Sequence, residues 1–318
     1  MEWSERIGRR IRLRDLHVLL AVVQCKSLAK AAEQLAISRP VVSRAIADLE
    51  HVLGVRLLER DRHGAEPTVY GAALLKRGTA VFDELRGSVK DIEFLSDPTA
   101  GDVRIGSSPP LSASFVAAIV ERLCERHPRI TFQIKVSETK WLLPDLIERN
   151  IDLSVVRTYR ARVPDELNFE ALYDDPFVVT VGAQSPWARR RKIELAELAD
   201  EWWAMPPSDS DPGSFFEEIF RAKGLDYPRA KVVSFPIGVR ISLLATGRFL
   251  TILPLSVLRF PAKPLSIKEL PIELPTMGPV GVATLKNRAL SPSAQLFVDG
   301  AREIAKRLAS ENDRWKAP

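Results

Sequence analysis

Residues 16–71 read LHVLLAVVQCKSLAKAAEQLAISRPVVSRAIADLEHVLGVRLLERDRHGAEPTVYG. Apolar Leu16, Leu19, Leu20 and Val23 sit on one face of a 3.6-residue period, which predicts an amphipathic helix. Ser27 stands where an N-cap belongs, ahead of LAKAAEQLA, whose Ala31, Ala32 and Leu35 form an inward face. Side chains this small let a third helix cross closely. Ile37 and Ser38 close that helix and open the next, with Pro40 in the first turn, where a missing N–H is harmless. Val42, Ile46, Leu49 and Leu53 then continue the helical period up to Gly54, a stop signal. Two short helices joined by a tight turn, the second presenting its N-terminal end, is the shape of a reader for the DNA major groove.

The exposed face at the start of that second helix carries Arg39, Ser43 and Arg44. Arginine suits guanine, and serine reaches bases or phosphates. Ser27, Lys30, Ser38 and Pro40 lie at the helix starts around the same face and join it as candidate DNA contacts. After Gly54, VRLLERDRHGAEPT predicts two short strands around His63-Gly64, a wing with Arg60, Arg62 and His63 near its tip. Such a wing tracks the phosphate backbone or the minor groove. Residues 1–62 hold 12 Lys+Arg against 8 Asp+Glu, so +4 of the chain's +5 lies here. A basic face with no partner is the competing reading, and the surrounding motif weakens it.

Thr68 caps a long helix over about 69–96. Leu74, Gly78, Val81, Leu85, Ser88, Ile92 and Leu95 recur at alternating four and three, a seam spacing that predicts a dimer rather than packing on its own domain. Ser96-Asp97-Pro98-Thr99-Ala100-Gly101 is a linker. Beyond it the period changes. Strand DVRIGSS, helix SFVAAIVERLCERHP, strand TFQIKVSE, helix WLLPDLIERN and strand IDLSVVRT imply a parallel sheet with helices on both faces. Past Tyr173-Asp174-Asp175-Pro176, PFVVTVGA opens a second lobe with helix FFEEIFRAKG, strand KVVSF, helix GVRISLLATG and strand FLTILP. PTMGPVGVATL returns to the first lobe, and SPSAQLFVDGAREIAKRLA closes the chain as a helix.

With 318 residues, 27% charged and 46% hydrophobic, the composition is that of an ordinary globular protein of about two domains. No apolar run approaches the roughly 18 residues a bilayer span needs, and MEWSERIGRRIRLR lacks the apolar core of a signal peptide, so a cytoplasmic protein with no membrane partner is expected. Cys25 and Cys124 read as free thiols packed in their helices. A redox disulfide is the alternative, and no cationic flank marks either as a thiolate. His17, His51, His63 and His127 show no metal-ligand spacing, so neither metal nor cofactor is expected. There is no GxxxxGK[ST], no GxSxG and no GxGxxG after a strand, which argues against an enzyme fused to a DNA-binding module.

The chain resembles the LysR-type transcriptional regulators over its full length. The resemblance rests on Ser27-Leu28, Ala31-Ala32, Leu35, Ser38, Pro40, Val42-Ser43, Ile46, Leu49-Glu50, Leu53-Gly54, Leu57, Arg60, Thr68 and Gly71. It implies a winged helix-turn-helix (1–68), a dimerising linker helix (69–97) and a two-lobed effector domain (98–318) of the type-2 periplasmic-binding-protein fold. Lobe I would take about 101–174 and 280–318, and lobe II about 175–279. It further implies a homodimer and a homotetramer built as a dimer of dimers. Three departures stand out. Arg39 replaces a common glutamine, Leu58 a frequent phenylalanine, and Gly247-Arg248-Phe249 the usual Gly-x-Gly turn.

In an open parallel sheet, ligands bind beyond the carboxyl ends of strands. Here those positions hold Ser107, Ser108 and Ser112, Thr139 and Arg157 in the first lobe, and Pro206, Ser208 and Phe235 in the second. By resemblance, Thr139 and Arg157 stand where effectors are often contacted. Pro110 stands where relatives carry serine or threonine, so Ser108 or Ser112 substitutes. Helix capping competes for Ser107, Ser108 and Ser208, and a surface ion pair with Asp165 or Glu166 competes for Arg157. An arginine at a strand end clamps a carboxylate, which points to a small anionic effector. Trp141, Trp202 and Trp203 read as core or rim aromatics. The leading function is a ligand-responsive transcription factor acting on operator DNA, with RNA polymerase as a further partner. The alternative is a constitutive DNA binder whose C-terminal half serves only oligomerisation, with Phe235 and Phe249 filling the cleft.

Overall fold

The computed structural model describes residues 10–61, 64–158, 163–260 and 265–315, with backbone alone at 60, 61 and 309–315. It divides into two compact units, one up to Ser88 and one from Val89.

The first unit is built from α1 (Leu13–Cys25), α2 (Leu28–Gln34), α3 (Arg39–Leu53), the hairpin β1 (Leu58–Asp61) and β2 (Gly64–Pro67), and the first turns of α4 (Val69–Ser96). Leu19, Val22, Ala31, Val42 and Ile46 are fully enclosed and form its centre, and Leu58 packs among them in place of the bulkier aromatic. The small side chains of Ala31 and Ala32 bring α2 onto its neighbours, as the sequence predicts. Ser27 caps α2 by accepting from Lys30 N–H at 3.4 Å. Thr68 starts α4: its hydroxyl accepts from Gly71 N–H at 3.1 Å and donates to Arg56 C=O at 2.7 Å. Gly71 is required there, because a Cβ would lie 2.0 Å from the Leu57 carbonyl oxygen.

The seam of α4 splits. Leu74 and Gly78 pack inside the first unit, Gly78 against Leu16. Val81, Leu85, Val89, Ile92 and Leu95 are exposed, Leu95 to 81%. The same helix therefore serves its own domain at one end and presents an uncovered apolar stripe along the other.

The second unit contains two five-stranded sheets. One has the order β4 (Arg129–Val136), β3 (Ala100–Ser107), β5 (Leu153–Arg157), β12 (Val280–Leu285), β6 (Leu167–Tyr173). The β3–β5 core is parallel, but β12 runs antiparallel to both β5 and β6. The wholly parallel sheet expected from the βαβαβ rhythm is therefore mixed. Helix α5 (Ala117–Arg126) and the closing helix α10 (Pro292–Trp315) cover one face through Ile119, Phe297 and Ala301. Helix α6 (Thr139–Ile147) covers the other through Leu142 and Leu146. A short turn, Pro109–Leu111, and a π-turn, Ser112–Val116, precede α5.

The second sheet has the order β11 (Ile267–Glu269), β7 (Phe177–Gly182), β10 (Phe249–Pro254), β8 (Trp202–Met205), β9 (Val232–Val233). Its helices are α7 (Asp211–Ala222), α8 (Ile237–Leu244) and α9 (Ser256–Arg259). Trp203 is fully buried and donates its indole N–H to Leu198 C=O at 2.7 Å, so it is core; Trp202 is half-exposed and packs on Phe249, ring centres 5.5 Å apart. Cys25 is half-buried, its thiol on Gln34 at 2.9 Å, whereas Cys124 lies exposed rather than packed. Among the described residues no helix is long and apolar enough to cross a membrane.

Candidate functional sites

In the first unit, α3 buries Val42, Ala45, Ile46 and Leu49 on one face. That leaves Arg39, Pro40 and Arg44 exposed on the other, with Ser43 half-buried beside them. Ser38 occupies the N-cap position in extended geometry without a side-chain cap; Pro40 has no N–H and Val41 and Val42 N–H donate to Ser38 C=O at 3.0 and 3.2 Å, which leaves the Ser38 and Arg39 N–H groups at the α3 N-terminus. Those groups, the helix dipole and two exposed arginines together favour a negatively charged partner. Lys30 is exposed on α2, and the Ser27 hydroxyl is occupied as the α2 cap. Glu50, on the inner side of α3, accepts from Leu57 N–H at 2.8 Å and Leu58 N–H at 3.4 Å. It fixes the wing to the helix, a role the sequence reading left unassigned. Arg60 lies on β1 opposite Ala65, and its side chain is outside the described residues, as are Arg62 and His63 entirely.

In the second unit, a cavity of about 70 Å³, partly open to solvent, lies between the two sheets' helices and crossings. Of the residues singled out from sequence, Ser108, Thr139, Arg157, Pro206 and Phe235 line it. Ser107, Ser112 and Ser208 do not. Ser107 is fully buried in β3 and its hydroxyl faces Ser108 C=O at 3.4 Å; Ser112 donates to Pro109 C=O at 2.9 Å. Ser208 is exposed, and the cap of α7 is Ser210, which accepts from Gly213 N–H at 3.2 Å. Ser108 stands at a helix N-cap position without capping it. Phe249 is not part of the lining, and Gly247 keeps the left-handed turn at φ 76°. The changed Gly-x-Gly turn therefore leaves the cavity unobstructed.

Arg157 is a correction to the sequence reading. Its ion pair is with neither Asp165 nor Glu166 but with buried Asp175, Nη2 to Oδ2 at 2.9 Å. Nη1 donates to Asp175 C=O at 2.6 Å and Gly278 C=O at 3.2 Å. The guanidinium also lies 4.8 Å from the Phe177 ring centre. Asp175 and Gly278 sit on the two chain crossings between the sheets, so Arg157 pins both crossings from the end of β5. Ser256 completes the cluster, donating its N–H and hydroxyl to Asp175 at 2.9 and 2.8 Å. Burial raises the Asp175 carboxyl, and the Arg157 charge and the Ser256 hydrogen bonds pull it back. The sequence cannot show that this arginine is turned inward.

Arg240, on α8, lines the cavity and is 4% exposed. Nη1 donates to Ile252 C=O at 3.2 Å and Thr251 Oγ1 at 3.4 Å, while Nε has no partner. No carboxylate pairs with it among the described residues. Burial lowers its pKa to about 10, against a smaller opposing effect of Tyr227. A buried guanidinium without a counter-charge is costly unless something else supplies the anion. Phe177, Phe216, Ile252 and Met277 supply an apolar floor, and Glu138 and Asp211 bring carboxylates to the same cavity.

Residues 96–306 match the family description "LysR substrate binding domain", and residues 13–72 match "Bacterial regulatory helix-turn-helix protein, lysR family". The chain belongs to the LysR family. It is a DNA-binding LysR-type transcriptional regulator with a substrate-binding domain. Among curated relatives, it is 23% identical to the uncharacterized regulator YdcI of Escherichia coli K12, over 95% of this chain and 99% of that protein. It is 26% identical to the regulator GbpR of Azospirillum brasilense, over 92% and 86%. Of solved structures, full-length OxyR from Pseudomonas aeruginosa superimposes with a TM-score of 0.65 at 20% identity, covering 93% of this chain and 96% of that one. CbnR complexed with its target DNA gives 0.52 at 19%, covering 92% and 99%. These likenesses carry the fold. In this LysR-family chain, Arg240, Glu138 and Asp211 also line the cavity and Asp175 pairs with Arg157; the sequence pointed only to the strand end that carries Glu138. Glu138 and Asp211 open helices directly after strands or strand-end loops.

Proposed function

We propose that this regulator reads operator DNA through α3 and the wing, and senses a small anionic molecule in the cavity of its second unit. Ser38, Arg39, Pro40, Ser43 and Arg44 face the groove, with Lys30, Arg60, Arg62 and His63 on flanking phosphates and Ser27 positioning α2. Ser108, Thr139, Pro206 and Phe235 contact the effector. Arg240 anchors its acidic group, and Arg157 transmits closure as the pin between the crossings. The single observation that carries the sensor reading is the buried, anion-less Arg240 in an open cavity.

The constitutive alternative predicts a cleft filled by the protein's own side chains. Phe249 packs on Trp202 instead, and Phe235 lines the cavity without closing it. The exposed stripe of α4 supports a homodimer, and pairs of dimers a tetramer, in the cytoplasm. An effector that favours one lobe arrangement shifts the tetramer between two shapes, altering DNA bend and the contact with RNA polymerase. The test joins thermal-shift screening against carboxylates, aromatic acids and sugar acids with footprinting in the presence of a hit. A hit that changes the footprint or the bend is expected. Binding without any change in either refutes the mechanism.

A further inference from the structure

The cavity is charged at two places with opposite signs. One is Arg240, 4% exposed, whose Nη1 donates to Ile252 C=O and Thr251 Oγ1 and which no carboxylate pairs among the described residues. The other is a pair of carboxylates that reach the cavity from the two sheets. Glu138 occupies the N-cap of α6 without turning back to cap it, and its Oε2 is buried with Lys140 Nζ at 3.2 Å. Asp211 opens α7, its backbone carbonyl accepts from the Ser214 hydroxyl at 3.1 Å, and the residue lines the cavity. A first-turn aspartate is ordinary helix chemistry. A second carboxylate meeting it from the opposite sheet is not, because like charges in a partly desolvated space repel. Burial first, and the Glu138 charge second, raise the Asp211 carboxyl, so the pair is under electrostatic strain that Lys140 relieves only in part. Phe177, Phe216, Ile252 and Met277 line the same cavity, and Ser108, Thr139 and Arg157, the last already paired with Asp175, are its other polar side chains.

We propose that the effector is bipolar. One acidic group sits on Arg240, one ammonium group sits between Glu138 and Asp211, and an apolar body lies against the aromatic and aliphatic floor. This rests on the sensor reading above and narrows its ligand from an anion to an amino acid whose two charges are held apart. A plain acid leaves the carboxylate pair uncompensated, and a plain amine leaves Arg240 so. The molecule that answers both is the one whose binding draws the two sheets together.

The experiment is calorimetric titration of the full chain with 4-(aminomethyl)benzoate and 6-aminohexanoate, each beside its acid without the amine (4-methylbenzoate, hexanoate) and its amine without the acid (benzylamine, hexylamine). The amino acids are expected to bind at least about tenfold more tightly than either truncated partner, the scale of one lost charge-assisted contact. Asp211→Asn with Glu138→Gln should abolish that preference and leave acid binding intact, while Arg240→Gln should weaken acid and amino acid alike. The wild-type preference needs no variant to fold. Equal binding of acid and amino acid overturns the bipolar assignment and leaves an anion sensor standing. Silence from all six compounds overturns both. A preference that survives in the carboxylate double variant also overturns the assignment, because the ammonium then sits elsewhere.

Discussion

Asp152 offers the sharpest test of how the second unit is held together. It is 4% exposed and surrounded by cations from three parts of the chain. Oδ1 accepts from Arg104 Nη2 at 2.6 Å and Arg288 Nη2 at 2.9 Å. Oδ2 accepts from Arg104 N–H at 2.9 Å and Nε at 3.3 Å, and lies 3.8 Å from Lys90 Nζ on α4. Burial alone would raise this carboxyl. The Arg104 hydrogen bonds and the nearby charges win, holding it at about 2 against an ordinary 3.8. That difference corresponds to roughly 2–3 kcal/mol. The folded value lies below the unfolded one, so this stability is complete above about pH 4 and is lost as pH falls through about 2.

Asp152→Asn keeps the shape and removes the charge that Arg104 and Arg288 share, while Lys90 keeps Asp102 at 2.7 Å. Breaking a buried pair on one side costs about 3–5 kcal/mol. In a unit of this size, each kcal/mol moves Tm by roughly 2–4 °C, so at the lower cost a fall of about 6–12 °C is expected at pH 7. Thermal unfolding followed by circular dichroism at pH 7 and at pH 2 measures it. The deficit should narrow at pH 2, where the wild type has lost the same contribution. A variant within about 2 °C of wild type at pH 7, or an equal deficit at both pH values, refutes the reasoning.

Other outcomes can be measured directly. Arg39→Ala and Arg44→Ala should each weaken operator binding by about 1–3 kcal/mol, with relaxed base preference for a base contact or a shallower salt slope for a phosphate contact; gel-shift titrations over a salt series distinguish the two. Gly71→Ala should destabilise the first unit by more than about 1 kcal/mol, since its methyl meets the Leu57 carbonyl at 2.0 Å and backbone must move; denaturant titration reads it. Ile92→Glu with Leu95→Glu, both at exposed positions of α4, should shift the chain toward monomer in light scattering without lowering the Tm of either unit.

The helix-turn-helix was legible because everything that makes it is local. Ser27 and Thr68 cap helices within three residues, and Val42, Ile46 and Leu49 follow the helical period. Strands β3, β4 and β5 were legible for the same reason, each bounded by helices of clear period. Strand β6 was not, because its partner β12 lies more than a hundred residues on and its own burial is irregular. Strand β8 is only four residues, Trp202–Met205, between turns. The stripe on α4 was read correctly as apolar, but that Leu74 and Gly78 belong to the first unit's core depended on packing against residues such as Leu16.

By itself, the sequence determined the winged helix-turn-helix, the long seam-bearing helix and the βαβαβ start of the second unit, since periodicity and caps act over a few residues. Tertiary structure alone decided where the charges point. Arg157 lines the cavity, as its strand-end position suggests, and also holds Asp175 and Gly278, which come to it on two separate crossings. Arg240 looked like one more helical arginine and is the buried cation of the cavity, because folding places it on Ile252 C=O and no carboxylate reaches it among the described residues. A charge's partner is set by distance in space, and local sequence carries no record of that distance.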